Sequence, residues 1–192
     1  MKKAVIIAFD NFTDIDVFLP WDLLNRVKFR DKSFEIKIIG TAPTHRSSCG
    51  MEVATHGLLE EANDADLVFV ASGRGAREAC KDAAFLQRLQ LNSDEQLVCS
   101  ICSGALILAA LGLLDGLTAT TYPSAAEALR GFGVEVLDDK HLVTHGNIAT
   151  AAGCLAAVDL MGWAIEKMYN TEMKEAVIAS VQPVGQGQVC LY

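Results

Sequence analysis

The sequence predicts an α/β protein in which a mostly parallel sheet lies between helices on both of its faces. Apolar runs of strand length alternate along the chain with segments whose apolar residues recur at helical spacing. Strands separated by helices run parallel, because each connection must cross back over the sheet. At 192 residues, 51% of them hydrophobic, the chain is long enough to bury the core of one domain over residues 1–192.

The amino-terminal segment predicts a strand, a helix and a second strand. Residues 3–9 form a continuous run rich in β-branched residues, the pattern of a central strand buried on both faces. The apolar residues of 16–27 recur close to helical spacing, with Asp16 near the start and Pro20 in about the first turn, where proline is tolerated. Residues 34–39 are a second apolar run of strand length. Asp16 therefore lies where the first strand leads into the first helix.

The middle of the chain predicts a hairpin and two strand–helix units. Residues 47–56 contain a glycine and alternate weakly between apolar and polar, which favours a hairpin. The apolar run 67–71 leads through a Gly-rich loop into a helix over 76–91. The apolar run 97–101 then meets an apolar run of helical length at 105–114 across a short turn of small residues.

The last third of the chain continues the alternation of strands and helices. Proline opens one of the helices, and two short strands flank a His-Gly-Asn turn. The strands are predicted at residues 118–122, 134–137, 141–144 and 148–151, and the helices at 123–130, 153–169 and 172–180. The tail from Gln182 is predicted to be irregular because it contains a proline and two glycines.

Cys102 lies in the turn between 97–101 and 105–114 and is the candidate nucleophile. A parallel α/β sheet carries its site at the carboxyl ends of its strands, where this turn and the loops with Asp16 and residues 73–75 emerge. The unpaired N–H groups and the dipole at a helix start favour a thiolate. The alternative is that Cys102 is a core residue, since free cysteine is among the most buried residue types.

Asp16 is the candidate general acid or base for Cys102, provided that its loop faces the thiol. The alternative role for Asp16 is a helix cap, the commonest reason for an aspartate at a helix start. Asp10 and Asp14 are rival carboxylates that spacing alone does not exclude.

The loop Gly73-Arg74-Gly75 follows a buried strand and brings backbone N–H groups to the same edge of the sheet. Together with the N–H of Ser103 they would form an oxyanion hole. A plain tight turn is one alternative, and a phosphate cradle is another, although the dinucleotide fingerprint is incomplete. Arg74 is either solvated or binds an anionic substrate. Tyr122 ends a predicted strand and either points into the site or packs with its hydroxyl satisfied.

Charge and cysteine content limit the partners and the compartment. The net charge of −8 argues against a nucleic-acid surface, which needs clustered basic residues. No apolar run reaches the length of a membrane span. The first apolar run breaks at Asp10, too early for a signal peptide, so the six cysteines predict free thiols in the cytoplasm. Small molecules and other protein chains are the expected partners, and no motif implies a cofactor.

Two further spacings have weak functional interpretations. Cys99 and Cys102 have the Cys-x-x-Cys spacing of redox motifs, but in a strand their Cα atoms lie about 10 Å apart, too far for a disulfide. His141 and His145 have a metal-ligand spacing only on a helix, and the residues between them favour a strand. No metal site is predicted.

Three motifs in order resemble the ThiJ/PfpI superfamily, the cysteine-elbow proteins related to class I glutamine amidotransferases. They are Asp16-Val17-Phe18-Leu19-Pro20-Trp21-Asp22, then Ser100-Ile101-Cys102-Ser103-Gly104-Ala105 with 109–116 and Ala119-Thr120-Thr121, and finally Thr150-Ala151-Ala152-Gly153 with Ala157-Val158-Asp159-Leu160. The resemblance covers nearly the whole chain. It implies a flavodoxin-like three-layer sandwich with a nucleophile elbow, and a homodimer.

Within the superfamily, the chain is most similar to the isonitrile hydratases, which carry aspartate at the position of Asp16. This resemblance implies that Cys102 attacks the terminal isocyanide carbon, that Asp16 supplies a proton and that Ser103 orients the intermediate, so that water releases an N-substituted formamide. Ser103 stands where the protease-like branch has histidine, which argues against a peptidase. The alternatives are a glyoxalase-like enzyme for 2-oxoaldehydes, a redox-sensing or non-catalytic stress protein, and a regulatory ligand-binding domain.

Three positions depart from the superfamily pattern. The usual Pro-Gly-Gly is Ser72-Gly73-Arg74, Tyr122 replaces the histidine after the Ala-Thr-Thr motif, and Leu19 replaces a glycine. Arg74 places a large cation in the pocket wall, and Tyr122 removes the usual histidine partner of the cysteine. The departures therefore bear on the substrate more than on the fold.

Overall fold

The computed structural model describes residues 1–184 and contains one seven-stranded central sheet. Its strands are β1 (Lys3–Ile7), β2 (Glu35–Gly40), β5 (Gly57–Leu58), β6 (Leu67–Val70), β7 (Leu97–Ile101), β10 (Leu142–His145) and β11 (Ile148–Ala151). They are arranged in the order β10-β11-β7-β6-β1-β2-β5, and every neighbouring pair is parallel except the antiparallel pair β10 and β11. The predicted α/β fold with a mostly parallel sheet is confirmed.

Two layers of helices cover the sheet. The helices are α1 (Asp14–Val27), α2 (Ala76–Ala79), α3 (Ala83–Gln87), α4 (Ala105–Ala110), α5 (Pro123–Arg130), α6 (Ala157–Met168) and α7 (Thr171–Ala179). Helices α1, α6 and α7 pack against one another in one layer, and α4 packs against α2 and α5 in the other. Strands β6 and β7 are buried along their whole length because both of their faces lie under helices. Among residues 1–184, no helix is both long and apolar enough to cross a bilayer.

Small two-stranded sheets lie beside the central one. The predicted hairpin consists of β3 (Thr44–Arg46) and β4 (Glu52–Ala54). The predicted strand 118–122 is reduced to β8 (Thr118–Ala119), which pairs with β9 (Glu135–Val136) outside the central sheet. The prediction that this strand extends to Tyr122 is therefore wrong. Tyr122 instead precedes α5 as its N-cap residue, because the proline that follows it opens that helix.

Three predicted helices have different bounds in the structure. The helix predicted over 76–91 is split into α2 and α3, because the Asp82 side chain accepts hydrogen bonds from two backbone N–H groups and starts a new helix. The helix predicted from residue 105 ends at Ala110, shortly before Gly112 turns left-handed with φ of +74°. The helix predicted from residue 153 begins as a 3-10 turn over Cys154–Ala156.

Helix α1 begins two residues earlier than predicted. Thr13 is its N-cap, so Pro20 lies in the second turn and not in the first. Proline has no N–H, so the carbonyl of Asp16 lacks the usual helical donor four residues further on. The predicted irregular tail begins at Gln182, and most of it lies outside the described residues.

Candidate active site

Cys102 lies on a sharp turn between β7 and a 3-10 turn over Cys102–Gly104 that continues into α4. Its φ is +48°, in the left-handed region that residues with a side chain rarely adopt. The Thr121 hydroxyl donates a 2.7 Å hydrogen bond to the Cys102 carbonyl and holds the turn in place. A Cβ at Gly104 would lie 2.6 Å from the Val70 carbonyl oxygen, so only glycine allows the turn to approach β6 this closely.

Asp16 is fully buried in the first turn of α1 and lies beside Cys102. The Ser72 hydroxyl donates a hydrogen bond to Asp16 Oδ2, whereas Asp16 Oδ1 has no hydrogen-bond partner among the described residues. Because Thr13 is the N-cap of α1, helix capping does not explain the position of this carboxyl group. Oδ1 is therefore available to exchange a proton with a neighbouring group.

The two rival carboxylates lie away from the thiol. Neither Asp10 nor Asp14 lines the pocket that contains Cys102 and Asp16. Asp10 accepts a 2.9 Å hydrogen bond from the Arg46 N–H, which is the largest cause that lowers its pKa. Of the three aspartates that spacing left open, Asp16 is the one that the fold brings to Cys102.

A second thiol, that of Cys154, completes a cluster with Asp16 and Cys102. The two sulfur atoms and a carboxyl oxygen of Asp16 all lie within 4.8 Å of one another. Cys154 follows Gly153, whose φ of +89° turns the chain sharply after β11. Sequence reasoning missed Cys154, although its place just after a strand that ends at the same sheet edge was a usable signal.

Burial raises the pKa of all three acidic groups in this cluster. For Asp16 burial is the largest cause, and the Ser72 hydroxyl opposes it. Burial and then the charge of Asp16 raise the pKa of Cys102 to about 12, and burial and Asp16 raise the pKa of Cys154 to about 11. The helix start that was predicted to favour a thiolate is thus outweighed by burial. Groups this close titrate together, and the Cys102 thiol lies within reach of the Asp16 carboxyl group.

The Ser72→Ala variant is expected to raise the pKa of Asp16 further. Ser72 provides the strongest of the hydrogen bonds that stabilise the carboxylate against burial, and alanine removes it. The measurement is an NMR titration of the Asp16 carboxyl carbon. Ser100→Ala is the matched control, because Ser100 is a buried serine on β7 whose hydroxyl has no partner and lies outside the pocket. An Asp16 titration unchanged in Ser72→Ala would contradict the role assigned to this hydroxyl.

Ser103 and Gly73 both line the pocket and are hydrogen-bonded to each other. The Ser103 hydroxyl accepts a 3.1 Å hydrogen bond from the Gly73 N–H and donates one of 3.1 Å to the Gly73 carbonyl. The Gly73 N–H and the Ser103 hydroxyl are therefore already hydrogen-bonded to each other's residue. This corrects two predictions, namely that the Gly73 N–H contributes to an oxyanion hole and that the Ser103 hydroxyl orients the intermediate. The Arg74 N–H, in the loop before α2, donates no hydrogen bond to another backbone group in residues 1–184, and the Ser103 N–H lies in the first turn after the elbow.

The pocket above these groups has a volume of about 360 Å³. It is lined by the cluster, by hydroxyl-bearing side chains and by two arginines, namely Thr13, Asp16, Ser48, Ser72, Gly73, Arg74, Arg77, Cys102, Ser103, Tyr122, Ser124 and Cys154. Tyr122 lies at the rim with half of its surface exposed. Arg77 donates a 2.7 Å hydrogen bond to the Ser124 carbonyl, and it is a second cation that sequence reasoning missed.

The residues with weak functional interpretations lie outside the pocket. Cys99 is completely buried in β7. His141 Nε2 lies 2.9 Å from Asp159 Oδ2, and His145 Nε2 lies 2.9 Å from Thr118 Oγ1. The structure thus places the two histidines with different partners.

Asp16, Cys102 and Cys154 are also close enough together to share a metal ion. Within residues 1–184, no other group of three His, Cys, Asp or Glu side chains is close enough to do so. Two thiolates and one carboxylate would suit a soft or borderline cation such as Cu(I) or Zn²⁺. The same atoms are the nucleophile and the acid of the candidate site.

The chain is similar to known proteins along most of its length. A sequence profile described as the DJ-1/PfpI family matches residues 2–167. Isonitrile hydratase of Pseudomonas putida is 27% identical over 80% of this chain and 66% of its own length, so the chain spans slightly less than two thirds of that relative. Protein dj-1beta of Drosophila melanogaster is 25% identical over all of this chain and 98% of its own length.

A solved structure supports the same fold. The crystal structure of a ThiJ/PfpI family protein from Pseudomonas syringae has a TM-score of 0.83 to this chain and covers 95% of it and 76% of the other chain. At 23% identity, this likeness shows a shared architecture. The flavodoxin-like arrangement that the motifs imply is thereby confirmed.

Proposed function

The chain belongs to the DJ-1/PfpI family, and from that premise we propose that it is a cysteine-dependent hydratase or hydrolase of small electrophilic molecules. One observation carries the proposal: the Cys102 thiol, on a turn with positive φ, lies next to a fully buried carboxyl group with one unpartnered oxygen, and both line one pocket. A nucleophile beside a proton acceptor is the arrangement that covalent catalysis needs.

The proposed reaction begins with transfer of the Cys102 proton to Asp16 Oδ1. The thiolate then attacks the electrophilic carbon of the substrate, and Asp16 returns the proton to the adduct. The N–H groups of Arg74 and Ser103, two residues that line the pocket, would stabilise negative charge on the adduct. Water hydrolyses the adduct and frees the thiol. Ser72 and Thr121 act through other groups, since one supports the Asp16 carboxylate and the other holds the Cys102 carbonyl.

Isonitriles are the first substrate class to consider, because isonitrile hydratase is among the relatives. The thiolate would add to the terminal isocyanide carbon, which takes the proton from Asp16 and gives a thioimidate. Water would then add to that carbon and expel the thiolate, which leaves an N-substituted formamide. 2-Oxoaldehydes are the alternative class, because their aldehyde carbon is also attacked by a thiolate to give a hemithioacetal. A proton shift from that carbon to the neighbouring carbonyl carbon through an enediol would give a thioester, which oxidises the first carbon and reduces the second, and water would hydrolyse the thioester to a 2-hydroxy acid and the free thiol. The Ser103 side chain after the nucleophile still argues against peptidase activity.

The test of this proposal is a screen of isonitriles and 2-oxoaldehydes with two readouts. NMR follows formation of formamide or 2-hydroxy acid, and mass spectrometry of quenched samples locates covalent adducts. We expect product from one of the two classes and an adduct on Cys102. The absence of both product and adduct with every compound would overturn the proposed function.

The pocket favours a substrate that carries a negative charge. Arg74 and Arg77 both line it, and no ion pair within residues 1–184 involves either of them. Asp16 is the only carboxylate among the described residues that line the pocket, so the two guanidinium groups outnumber it. The pocket is therefore positively charged in a chain whose net charge is −8, and this concentrates anions there.

Arg74→Gln and Arg77→Gln are each expected to raise KM for a carboxylate-bearing substrate about ten- to a hundredfold, with little change for its methyl ester. Each loses a charge-assisted contact that only the carboxylate makes. The measurement is steady-state kinetics on such a matched pair of compounds. Arg88→Gln is the control, because Arg88 pairs with Glu60 outside the pocket. Equal changes for the acid and the ester would contradict an anion-binding role.

The remaining proposals concern the assembly and the compartment. We propose a single domain over residues 1–192, a homodimer in solution and a cytoplasmic location that keeps the cysteines reduced. The five cysteines of the described residues are all free thiols, as such a compartment requires. Light scattering on purified protein tests the dimer, and a mass equal to one chain at micromolar concentration would contradict it.

A further inference from the structure

The Cys154 thiol has no part in the proposed reaction, yet it lies within 4.8 Å of the nucleophile. Cys154 is half-buried and lines the pocket beside Cys102 and Asp16. A disulfide needs the two sulfur atoms about 2.0 Å apart, so they would have to approach by less than about 3 Å. A displacement of this size is within reach of side-chain rotation combined with a small backbone shift.

The backbone before Cys154 has room for such a shift. Gly153 has a φ of +89°, and no heavy atom lies within 4 Å of the place where its Cβ would be. The next side chain, Leu155, is 74% exposed, so the outer side of this turn is not packed. Cys102, by contrast, is fixed by the Thr121 hydrogen bond and by the close approach at Gly104. The mobile partner of the pair would therefore be Cys154.

We propose that Cys154 is a resolving thiol, which forms a reversible disulfide with Cys102 after a hydroperoxide has oxidised Cys102 to a sulfenic acid. The inference rests on the nucleophilic Cys102 of the proposed function and adds a second reaction at the same site. It also gives the redox-sensing alternative a specific mechanism, because Cys154 would convert the sulfenic acid of Cys102 into a disulfide that a reductant can reverse.

Two chemical steps would form the disulfide. The Cys102 thiolate attacks the terminal oxygen of the hydroperoxide, the O–O bond breaks, and the alkoxide leaves as an alcohol with the proton held by Asp16. The Cys154 thiol, passing its proton to Asp16, then attacks the sulfenic sulfur. The S–S bond forms, the S–O bond breaks, and hydroxide leaves as water with that proton. Two thiols lose two electrons to the hydroperoxide, and a dithiol reductant returns them.

The second step explains why the position of Asp16 matters for both thiols. Its unpartnered Oδ1 belongs to the only carboxyl group within reach of the two sulfur atoms in the described chain. One carboxyl group can therefore accept the proton of either thiol and give it to the leaving oxygen.

The test compares the wild type with Cys154→Ser and Cys154→Val after treatment with a small excess of hydrogen peroxide. In the wild type we expect a peptide pair joined through Cys102 and Cys154, two hydrogens lighter than the separate peptides, and full recovery of the thiols with dithiothreitol. In both variants we expect Cys102 to gain two oxygens as a sulfinic acid that dithiothreitol does not reverse. Cys49→Ser, which removes an exposed thiol outside the pocket, is expected to behave like the wild type.

The outcomes separate this inference from the proposed function. The same yield of sulfinic acid in wild type and Cys154 variants, with no joined peptides, would overturn the resolving role whether or not substrates are turned over. A disulfide that forms normally in a protein with no turnover and no substrate adduct would support the inference and overturn the proposed enzyme. Two replacements of Cys154 are used, and circular dichroism checks the folding of both. If one variant is misfolded, the oxidation products of the other still test the resolving role.

Discussion

Replacing Cys102 by serine is expected to lower kcat/KM by at least about 10³-fold for any substrate that the wild type turns over. The elbow holds the side chain over the pocket in both proteins, because the Thr121 hydroxyl bonds to the backbone carbonyl and not to the sulfur. The loss therefore reports the nucleophile itself, since a serine hydroxyl releases its proton to Asp16 far less readily than a thiol. Steady-state kinetics measures the loss of kcat/KM, and circular dichroism checks that the variant is folded.

Cys99→Ala provides the matched control for this loss. Cys99 lies on the same strand, three residues before the nucleophile, but it is fully buried and does not line the pocket. Alanine avoids placing a hydroxyl in the core, and the small cavity affects stability more than the site. We expect Cys99→Ala to keep its activity per folded molecule. Turnover by Cys102→Ser close to that of the wild type would mean that another group is the nucleophile.

Asp16→Asn is expected to change two properties of the site in opposite directions. Turnover should fall about 10²- to 10⁴-fold, because asparagine cannot accept or return the proton of Cys102. Alkylation of Cys102 by iodoacetamide at about pH 8 should become faster, because the negative charge of Asp16 is one cause of the raised thiol pKa and the variant removes it. If turnover and alkylation both became faster, Asp16 would be acting on the thiol only as a charge. If both became slower, the negative charge of Asp16 would not be what limits the reactivity of the thiol.

The same variant tests the cost of burying the carboxylate. The pKa of Asp16 is raised in the fold, so the folded protein binds this proton more tightly than the unfolded chain does. Stability from this group is present at low pH and is lost as pH rises from the unfolded value of 3.8 through the folded pKa. Asparagine stays neutral at every pH. The free energy of unfolding of Asp16→Asn minus that of the wild type should therefore increase across that window and then level off. Urea denaturation across the window measures this, and a difference that shrinks with rising pH would contradict it.

The positions of the main strands and of the elbow could be predicted from the sequence, because both depend on the hydrophobic pattern of neighbouring residues in the chain. Continuous apolar runs marked β1, β6 and β7, since a strand buried on both faces shows no polar alternation. The run of β7 followed at once by a helical run left only a few small residues for the turn, and Cys102 is the first of them. The breaks between α2 and α3 and after β8 were missed because a cap or a lost sheet partner barely changes the hydrophobic pattern.

The composition of the site could be predicted only in part. Cys102, Asp16 and the loop from Gly73 to Gly75 were found because each directly follows a strand at the carboxyl edge. Cys154 follows a strand in the same way, but it lies within a stretch of small residues that carries no local sign of a site.

By itself, the sequence determined which segments are strands and helices, and it placed a cysteine at the end of a central strand. Only the tertiary structure decided that Asp16, and neither Asp10 nor Asp14, reaches that cysteine, that Ser72 supports it, and that a second thiol lies alongside. The physical reason is that hydrophobic periodicity reports how each residue is buried within its own segment. Which side chains meet depends on the order of strands in the sheet and on the exact start of each helix, and these follow from packing between segments far apart in the chain.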